Sequence, residues 1–503
     1  KIILQKYSIS IVTPNYIFLG IVTVVYTILM IMFVYKTGIP AMDDQELILN
    51  AANDLLNNVP DMWDKGAYCY RFPNQNGFVL FVALGLKMFG ADNQMVFQYL
   101  NIPMLILSSF FLSKTIYLLF NDKKLARYSY ILLLGFFQLN CYVTFVYGTL
   151  YGLAASVAGI FLLIKYFKKR NIVNGLVGIS LLSIGYGFKS NYLIMIVAAC
   201  LLLLFDAIVK KSLKSVISLV WGIVFYVVVV TSISSTIYHL TGKKVDEGTP
   251  NTAWVAMGLQ ESYKAPGWWN GYNAKVFADN EYDIPKTKEA ISQNISERVG
   301  ELKKDKEYTL SFFSKKTASQ WSEGTFECFY ITNLDRGRLS NPTWTDSVKN
   351  LMVDGHSANR AVTTICNYFI VFLWLGIILF LIFDFRKLDA YKLIFAITFI
   401  GGFLFHLVWE AKGQYTIIYA YLMIPYMLRG YQLLLRRVCN ISLGEKEAKE
   451  KRGTIIPVVV IALVVIVIGI SNNKVVNETI KLNGDNERYE SYMSHQVDYL
   501  DDG

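Results

Sequence analysis

Charged residues are scarce in this sequence of 503 residues: Asp, Glu, Lys and Arg together make up 17% of it, against about 25% in an ordinary soluble domain. In their place, 54% of the residues are hydrophobic and 15% are aromatic. This balance excludes a disordered chain and argues against a soluble globular one. Long apolar runs, such as residues 16–35, instead match the roughly 20 residues with which a helix crosses about 30 Å of hydrocarbon.

Several common motifs are also missing. The six cysteines are scattered, with no CxxC spacing and no histidine at a metal-ligand spacing, which argues against a zinc site and a disulfide framework. The sequence contains no GxxxxGK[ST] loop and no internal repeat of about 20–50 residues. Nothing in it therefore indicates ATP-driven transport.

The apolar runs and the turns between them predict an all-α polytopic membrane protein with about eleven transmembrane helices. The predicted spans cover residues 16–36, 95–119, 128–146, 149–166, 172–188, 191–209, 214–238, 361–383, 391–409, 414–433 and 454–471. The apolar run 78–89 is too short to span a bilayer, so it predicts a juxtamembrane or re-entrant helix.

Lysine and arginine gather in the short segments between these spans, at residues 123–127, 165–170, 210–214, 386–392 and 436–452. Basic loops mark the cytoplasmic side of a membrane, so we expect the N-terminus inside. A nucleic-acid patch is the competing interpretation of the net charge of +10. Because every basic cluster lies at a membrane edge, we expect the lipid bilayer as a partner and no nucleic acid.

This orientation divides the chain into four parts. They are an N-terminal transmembrane bundle (1–238) with a catalytic first external loop (37–94), an extracytoplasmic domain of mixed structure (239–360), C-terminal transmembrane helices (361–471) and an external tail (472–503). A loop as long as 239–360 is normally functional.

Two adjacent carboxylates, Asp43 and Asp44, follow the first predicted span. Apolar residues at helical spacing over residues 47–56 predict an amphipathic interfacial helix directly behind them. Such a carboxylate could act as a general base toward a lipid-borne substrate. Helix capping is the alternative for Asp43, because Asp43 and Glu46 fit a capping box. Capping does not explain Asp44, which we therefore favour as the base.

Two cations on the predicted external side are candidates for binding a phosphate. Lys189 is the only cation in the turn GFKSN, between the fifth and sixth predicted spans, and Arg71 precedes the turn FPNQNG at headgroup level. A leaving phosphate needs a fixed positive partner. The structural alternatives are snorkelling of Lys189 and interfacial anchoring by Arg71.

The densest group of ionisable residues lies between the ninth and tenth predicted spans, in HLVWEAKGQY. Glu410 and Lys412 stand there beside a short turn at the external face, where ionisable residues are functional candidates by default. The alternative is a mutual ion pair that only closes the turn. The supporting candidates on the same face are His406, Tyr415, His356 and Arg360.

These motifs together resemble the GT-C superfamily of membrane glycosyltransferases, and most closely its bacterial branch related to protein O-mannosyltransferases and aminoarabinose transferases. The resemblance rests on the acidic pair 43–44, the FPNQNG turn with a helix ending KMFG, Lys189, and the Glu-x-Lys-x-x-Tyr turn followed by Pro425. It covers about residues 10–200 and 390–430. The segment 239–360 matches nothing in the family.

The resemblance implies an enzyme on the extracytoplasmic face of a bacterial plasma membrane. It would take a sugar from a polyprenyl-phosphate carrier and pass it, with inversion, to a hydroxyl of a cell-surface glycan, a wall polymer or a protein. Asp43 or Asp44 would act as general base. The donor phosphate would be bound by Lys189, Lys412, Arg71 and Arg360. Relatives often have Arg where this chain has Lys412, and Lys offers a point charge instead of a bidentate fork.

We expect no cofactor, because a phosphate-linked donor carries less charge than a nucleotide sugar, but adjacent Asp43 and Asp44 could hold Mg²⁺ or Mn²⁺. Two alternative functions remain open. One is a transporter or flippase for a lipid-linked saccharide, against which the nearly bare middle of the predicted spans argues. The other is a ligase or polymerase with a diphosphate-linked donor.

Overall fold

The computed structural model describes residues 13–90, 93–332, 344–384, 389–438 and 456–479. These residues form helices and turns and contain no β-strand, so the expected all-α class is confirmed. The helices are α1 (Tyr16–Thr37), α2 (Asp44–Asn57), α3 (Tyr68–Arg71), α4 (Asn76–Phe89), α5 (Met95–Phe120), α6 (Lys123–Leu134), α7 (Phe137–Cys141), α8 (Thr149–Lys169), α9 (Ile172–Phe188), α10 (Leu193–Val209), α11 (Leu213–Thr241), α12 (Thr252–Gly258), α13 (Tyr272–Asp279), α14 (Ile284–Lys304), α15 (Lys306–Trp321), α16 (Cys328–Thr332), α17 (Asp346–Met352), α18 (Ser357–Phe383), α19 (Ile394–Val408), α20 (Gly413–Val438) and α21 (Ile456–Thr479).

Seven helical segments in the described part of the chain are long and apolar enough to cross a membrane. They are Tyr16–Thr37, Met95–Phe120, Thr149–Lys169, Ser190–Val209, Leu213–Thr241, Asp346–Phe383 and Ala390–Val408. In α1 and α11 only 11% of the most apolar window is buried, so their apolar side chains face outward, which suits lipid and not water. The chain is therefore a helical membrane protein. The total of about eleven spans and the inside N-terminus stay predictions.

The third predicted span, residues 128–146, is not one continuous helix. α6 stops at Gly135, and the backbone continues through the short α7 and a 3₁₀ turn into an irregular stretch that contains Tyr147. Asn101 of α5 satisfies this backbone, because its Nδ2 donates to two of its carbonyls at 3.0 and 3.1 Å. Unwound backbone inside a membrane bundle is stable only with such partners. The break places Tyr147 at the end of the bundle where α8 begins.

The helix ends sort into two groups. Three contacts join the basic segments at one end: Arg170 with Asp206, Lys168 with the Leu118 carbonyl, and Arg436 with Asp122. At the opposite end, the α9–α10 and α19–α20 junctions meet the segment that follows α1. Most of the sequence-predicted candidates lie at this second end.

Between α11 and α18 the described residues form six shorter helices, α12–α17. The sequence predicted mixed structure for residues 239–360, whereas the described residues of this segment are helices and turns without a strand. Trp321 at the end of α15 anchors the segment to the bundle, since its ring centroid lies 5.3 Å from that of Phe399 and 5.8 Å from that of Tyr419. These contacts hold α15 against α19 and α20. The division of the chain into four parts stays a prediction.

Candidate functional site

The site is built around the amino end of α2, where Asp44 is the first helical residue. Gln45 fixes this end, because its Oε1 accepts a hydrogen bond from the backbone N–H of Val146 at 2.7 Å. Gln45 is 1% exposed, whereas Asp44 is exposed. The buried glutamine therefore holds the helix in place while the Asp44 carboxylate stays open to a substrate.

Asp43 does not cap α2 in the predicted way. It occupies the N-cap position with φ 50° and ψ −129°, and its side chain makes no capping hydrogen bond. An N-cap residue normally has extended backbone, which turns its side-chain oxygen toward the amides of the first turn. The conformation of Asp43 differs from this, so the predicted capping box of Asp43 and Glu46 is wrong.

Tyr147 links Asp44 to the next segment of the site. Its hydroxyl donates to Oδ2 of Asp44 at 3.3 Å and accepts a hydrogen bond from Nε2 of Gln75. Burial, followed by the negative charge of Asp44, raises the pKa of Tyr147 far above its usual range. Tyr147 is therefore a neutral hydrogen-bond donor that fixes the orientation of the carboxylate.

Lys189 lies between α9 and α10 and is only 8% exposed. Its Nζ stands 3.9 Å from the ring centroid of Tyr147 and 5.9 Å from that of Tyr415. Among the described residues this ammonium has no hydrogen-bond partner. Burial and the positive charge of Lys412 lower its pKa to about 7, while Asp44 acts in the opposite direction. Lys189 is thus a desolvated cation held by aromatic faces.

The turn between α19 and α20 supplies the second cation. Lys412 is half-buried, and its Nζ lies 5.9 Å from the ring centroid of Tyr415. Burial acts to lower the pKa of Lys412, but the carboxylates of Glu410, Glu327 and Asp44 raise it above its usual value. Lys412 is therefore charged at neutral pH.

Glu410, in the same turn, is 2% exposed and accepts a hydrogen bond from the Tyr415 hydroxyl at 3.1 Å. Burial raises the pKa of the Glu410 carboxyl, and the positive charge of Lys412 opposes that rise. His406 also packs against Tyr415, with ring centroids 5.7 Å apart. The structure thus brings together Asp44, Lys189, Glu410, Lys412, Tyr415 and His406.

Residues between α11 and α18 hold the turn between α19 and α20 in place. Lys316 of α15 is fully buried, and its Nζ donates to the Trp409 carbonyl at 2.8 Å and to the Gly258 carbonyl. Glu327 accepts from the Gln414 amide at 3.2 Å and pairs with Lys264 at 2.9 Å. These hydrogen bonds fix the backbone on both sides of Glu410 and Lys412.

Several of these residues escaped the sequence analysis. Tyr147 lies in the two-residue gap between the predicted spans 128–146 and 149–166, and Gln75 looked like part of a polar turn. Lys316 sits in the Lys-rich stretch SKKTASQW, where nothing distinguishes a buried lysine from an exposed one. Of these residues only Gln75 lay in a distinctive sequence, the run of three polar residues in FPNQNG.

Three predicted residues lie apart from this group. Arg71 stacks over Phe72, with 5.3 Å from Cζ to the ring centroid, and its Nε has no hydrogen-bond partner among the described residues. His356 and Arg360 are both exposed, at the beginning of α18. No contact in the described part of the chain joins any of the three to Asp44. Their predicted roles stay predictions.

A divalent metal at Asp43 and Asp44 also stays a prediction. Within the described residues no group of three or more His, Cys, Asp or Glu side chains could hold a metal ion. The groups that interact with Asp44 include the Tyr147 hydroxyl and the Lys189 ammonium. These are hydrogen-bond donors and not metal ligands.

Comparisons with protein-family models, with curated proteins and with solved structures found no match to this chain. The function is therefore inferred from the site itself. An exposed carboxylate, two cations and two tyrosines at one end of an apolar bundle can bind an anionic group and accept a proton beside it.

Proposed function

We propose that the protein is an inverting glycosyltransferase that moves a sugar from a polyprenyl-phosphate carrier to an acceptor hydroxyl. The acceptor would be a cell-surface glycan, a wall polymer or a protein, on the extracytoplasmic face of a bacterial plasma membrane. The observation that carries the proposal is the grouping of one exposed carboxylate, Asp44, with two lysines, Lys189 and Lys412.

The two lysines suit the leaving group of this reaction. When the bond between the sugar C1 and the phosphate oxygen breaks, the oxygen keeps the electron pair and the phosphate gains a negative charge. Fixed cations in a site with little water stabilise such a developing charge strongly. Lys189 has an ammonium without a hydrogen-bond partner among the described residues, so an entering phosphate oxygen would satisfy it.

Asp44 suits the other half of the reaction. The acceptor oxygen attacks C1 from the side opposite the phosphate, which inverts the configuration, and its proton passes to Asp44. A positioned carboxylate contributes typically ~10²–10⁴-fold to such a step. Tyr147 donates to Oδ2 of Asp44 at 3.3 Å, and because Asp44 is exposed, an acceptor hydroxyl can reach its carboxylate.

The lipid tail of the donor also has a place in this arrangement. α4 begins directly after Gln75, whose side chain reaches Tyr147. Farther along this helix three large apolar side chains are exposed, namely Leu84, Met88 and Phe89. A polyprenyl chain running along this face would lead the phosphate toward Lys189.

The test is donor-dependent sugar transfer by purified protein in detergent, with a panel of synthetic polyprenyl-phosphate sugars and cell-envelope extract as the acceptor. Asp44→Asn should lower turnover by ~10²-fold or more, because the amide cannot take the proton. The same variant should still bind the donor, since the lysines and the tail contacts remain. Asp43→Asn, one residue away, is the matched control and should keep most of the activity.

A dead Asp43→Asn enzyme beside an active Asp44→Asn enzyme would exchange the roles of the two residues. Full activity in both would contradict the proposal of a general base in this loop. Absence of transfer from every donor, combined with movement of a lipid-linked saccharide across reconstituted vesicles, would show a transporter instead.

A further inference from the structure

A group of aromatic rings lies beside the site and plays no part in the reaction proposed above. Trp254 of α12 and Trp409, the residue before Glu410, have parallel indoles with ring centroids 5.8 Å apart. Phe72 meets Trp254 edge-on at 6.1 Å. All three side chains are only half-buried. We call these three residues the aromatic cluster.

Two unsatisfied polar groups border the aromatic cluster. Thr249 is 3% exposed, and its Oγ1 has no hydrogen-bond partner among the described residues. Nε of Arg71 also has no hydrogen-bond partner among the described residues. The two residues touch, because the Thr249 amide donates to the Arg71 carbonyl at 3.0 Å. A buried hydroxyl and a guanidinium nitrogen without partners cost free energy unless something else bonds to them.

We propose that the aromatic cluster, with Arg71 and Thr249, binds a sugar ring of the acceptor, which is therefore a glycan. This inference rests on the proposed function and names its acceptor class. A pyranose ring has a face of C–H bonds that packs on the electron-rich face of an indole. Its rim carries hydroxyls that both donate and accept, as Arg71 Nε and Thr249 Oγ1 require.

The chemistry of the aromatic cluster favours a glycan over a polypeptide, because one sugar ring offers a C–H face to an indole and hydroxyls to Thr249 Oγ1 and Arg71 Nε. Trp409 packs against Trp254 and also against Phe405, whose ring centroid lies 4.7 Å away, so the sugar would lie on the exposed part of the Trp254 indole. Because Trp409 directly precedes Glu410, a sugar held beside it would lie next to the turn that carries Glu410 and Lys412.

The experiment is saturation-transfer NMR on the full-length protein in detergent, without any donor. The probes are a β-linked N-acetylglucosamine tetrasaccharide, an α-linked glucose tetrasaccharide and a serine-rich decapeptide. We expect at least one saccharide to bind and the peptide not to bind. Trp254→Leu should weaken saccharide binding by about tenfold, Trp254→Phe by less, and Thr249→Val several-fold, because valine keeps the shape but loses the hydroxyl.

Trp221→Leu is the matched control, since this indole is 40% exposed but lies on α11, where it donates to Ser180. It should leave saccharide binding unchanged. Binding of the peptide alone, binding of no probe, or saccharide binding that survives Trp254→Leu in a protein with an unchanged melting curve would each overturn the inference. Because the assay contains no donor, its failure leaves the transfer reaction intact. Loss of transfer with normal saccharide binding would count against the proposed function alone.

Discussion

At the scale of single residues, Lys189 combines three properties that rarely occur together. It is 8% exposed, it has no hydrogen-bond partner among the described residues, and it stands over the ring of Tyr147. Burying an ammonium costs on the order of several kcal/mol. Contact with an aromatic face offsets about 2 kcal/mol of this cost. An anion that enters the site recovers much of the remainder, so the arrangement favours a bound phosphate.

The depressed pKa of Lys189, about 7, predicts a pH dependence of donor use. Below this value the lysine carries its charge, and above it the charge is lost. The ratio kcat/KM for the donor, which reports the free enzyme, should therefore fall as the pH rises above about 7. Lys189→Met should lower kcat/KM at least tenfold at pH 6 and remove this dependence.

Lys412→Met should change the same pH dependence of kcat/KM. The charge of Lys412 is one of the causes that lower the pKa of Lys189, so removing it should move the fall in kcat/KM to higher pH while also weakening donor binding. If the wild type, Lys189→Met and Lys412→Met have the same pH profile, both lysines have a structural role and do not bind the donor phosphate.

The backbone of Asp43 predicts a gain in stability. Its φ of 50° and ψ of −129° lie in a region that glycine adopts readily and that costs other residues of order 1–3 kcal/mol. Asp43→Gly should therefore raise the melting temperature in detergent and keep most of the transfer activity. Asn58→Gly is the control, because Asn58 has φ 58° and ψ 36°, which asparagine tolerates, and it should change little. A lower melting temperature for Asp43→Gly would show that the contacts of the carboxylate outweigh the strain.

At the scale of elements, the turn between α19 and α20 depends on its contact with α12. Gly258 ends α12 directly against this turn, and a Cβ there would lie 2.4 Å from the Val408 carbonyl oxygen and 2.5 Å from the carbonyl carbon of Trp409. The Gly258 carbonyl also accepts from Lys316, which holds the Trp409 carbonyl as well. The position of Glu410 and Lys412 therefore depends on a residue far away in the sequence.

Gly258→Ala should displace this turn and lower the proposed transfer activity. The added methyl group meets backbone and not a flexible side chain, so the turn must move, and a shift of about 1 Å in a positioning residue can cost ~10²-fold in rate. Steady-state kinetics should show lower kcat/KM for the donor. Gly300→Ala in α14, where nothing lies within 4 Å of the new Cβ, should leave the kinetics unchanged. Equal activity of the two variants would contradict the proposed role of the α12 contact.

At the scale of the whole molecule, the two ends of the bundle carry different chemistry. One end holds the basic segments, where Arg170 pairs with Asp206 and Arg436 with Asp122. The other holds Asp44 and Lys189. A reporter inserted after Arg170 should read cytoplasmic, and one inserted near Asn270 should read external, because short basic loops stay on the cytoplasmic side. An internal reading at Asn270 would place the site on the wrong face for an extracytoplasmic reaction.

The sequence alone determined the class of the protein and the identity of most candidates. Apolar runs of about 20 residues predict membrane helices because the bilayer sets that length, and the structure is all-helical with seven such segments in its described part. Asp44, Lys189, Glu410 and Lys412 stood out because they lie at the predicted membrane edge opposite the basic loops, where ionisable residues are functional candidates by default. These inferences need only local composition, which the sequence contains in full.

Only the tertiary structure decided which of these candidates meet and what holds them. Tyr147 reaches Asp44 because the predicted third span is broken, and its break is stabilised by Asn101 from another helix. Lys316 supports the turn at Trp409 across 93 residues of sequence. Whether a lysine is buried, or an aspartate caps a helix, depends on neighbours that are distant in the chain, and periodicity and spacing carry no information about such neighbours.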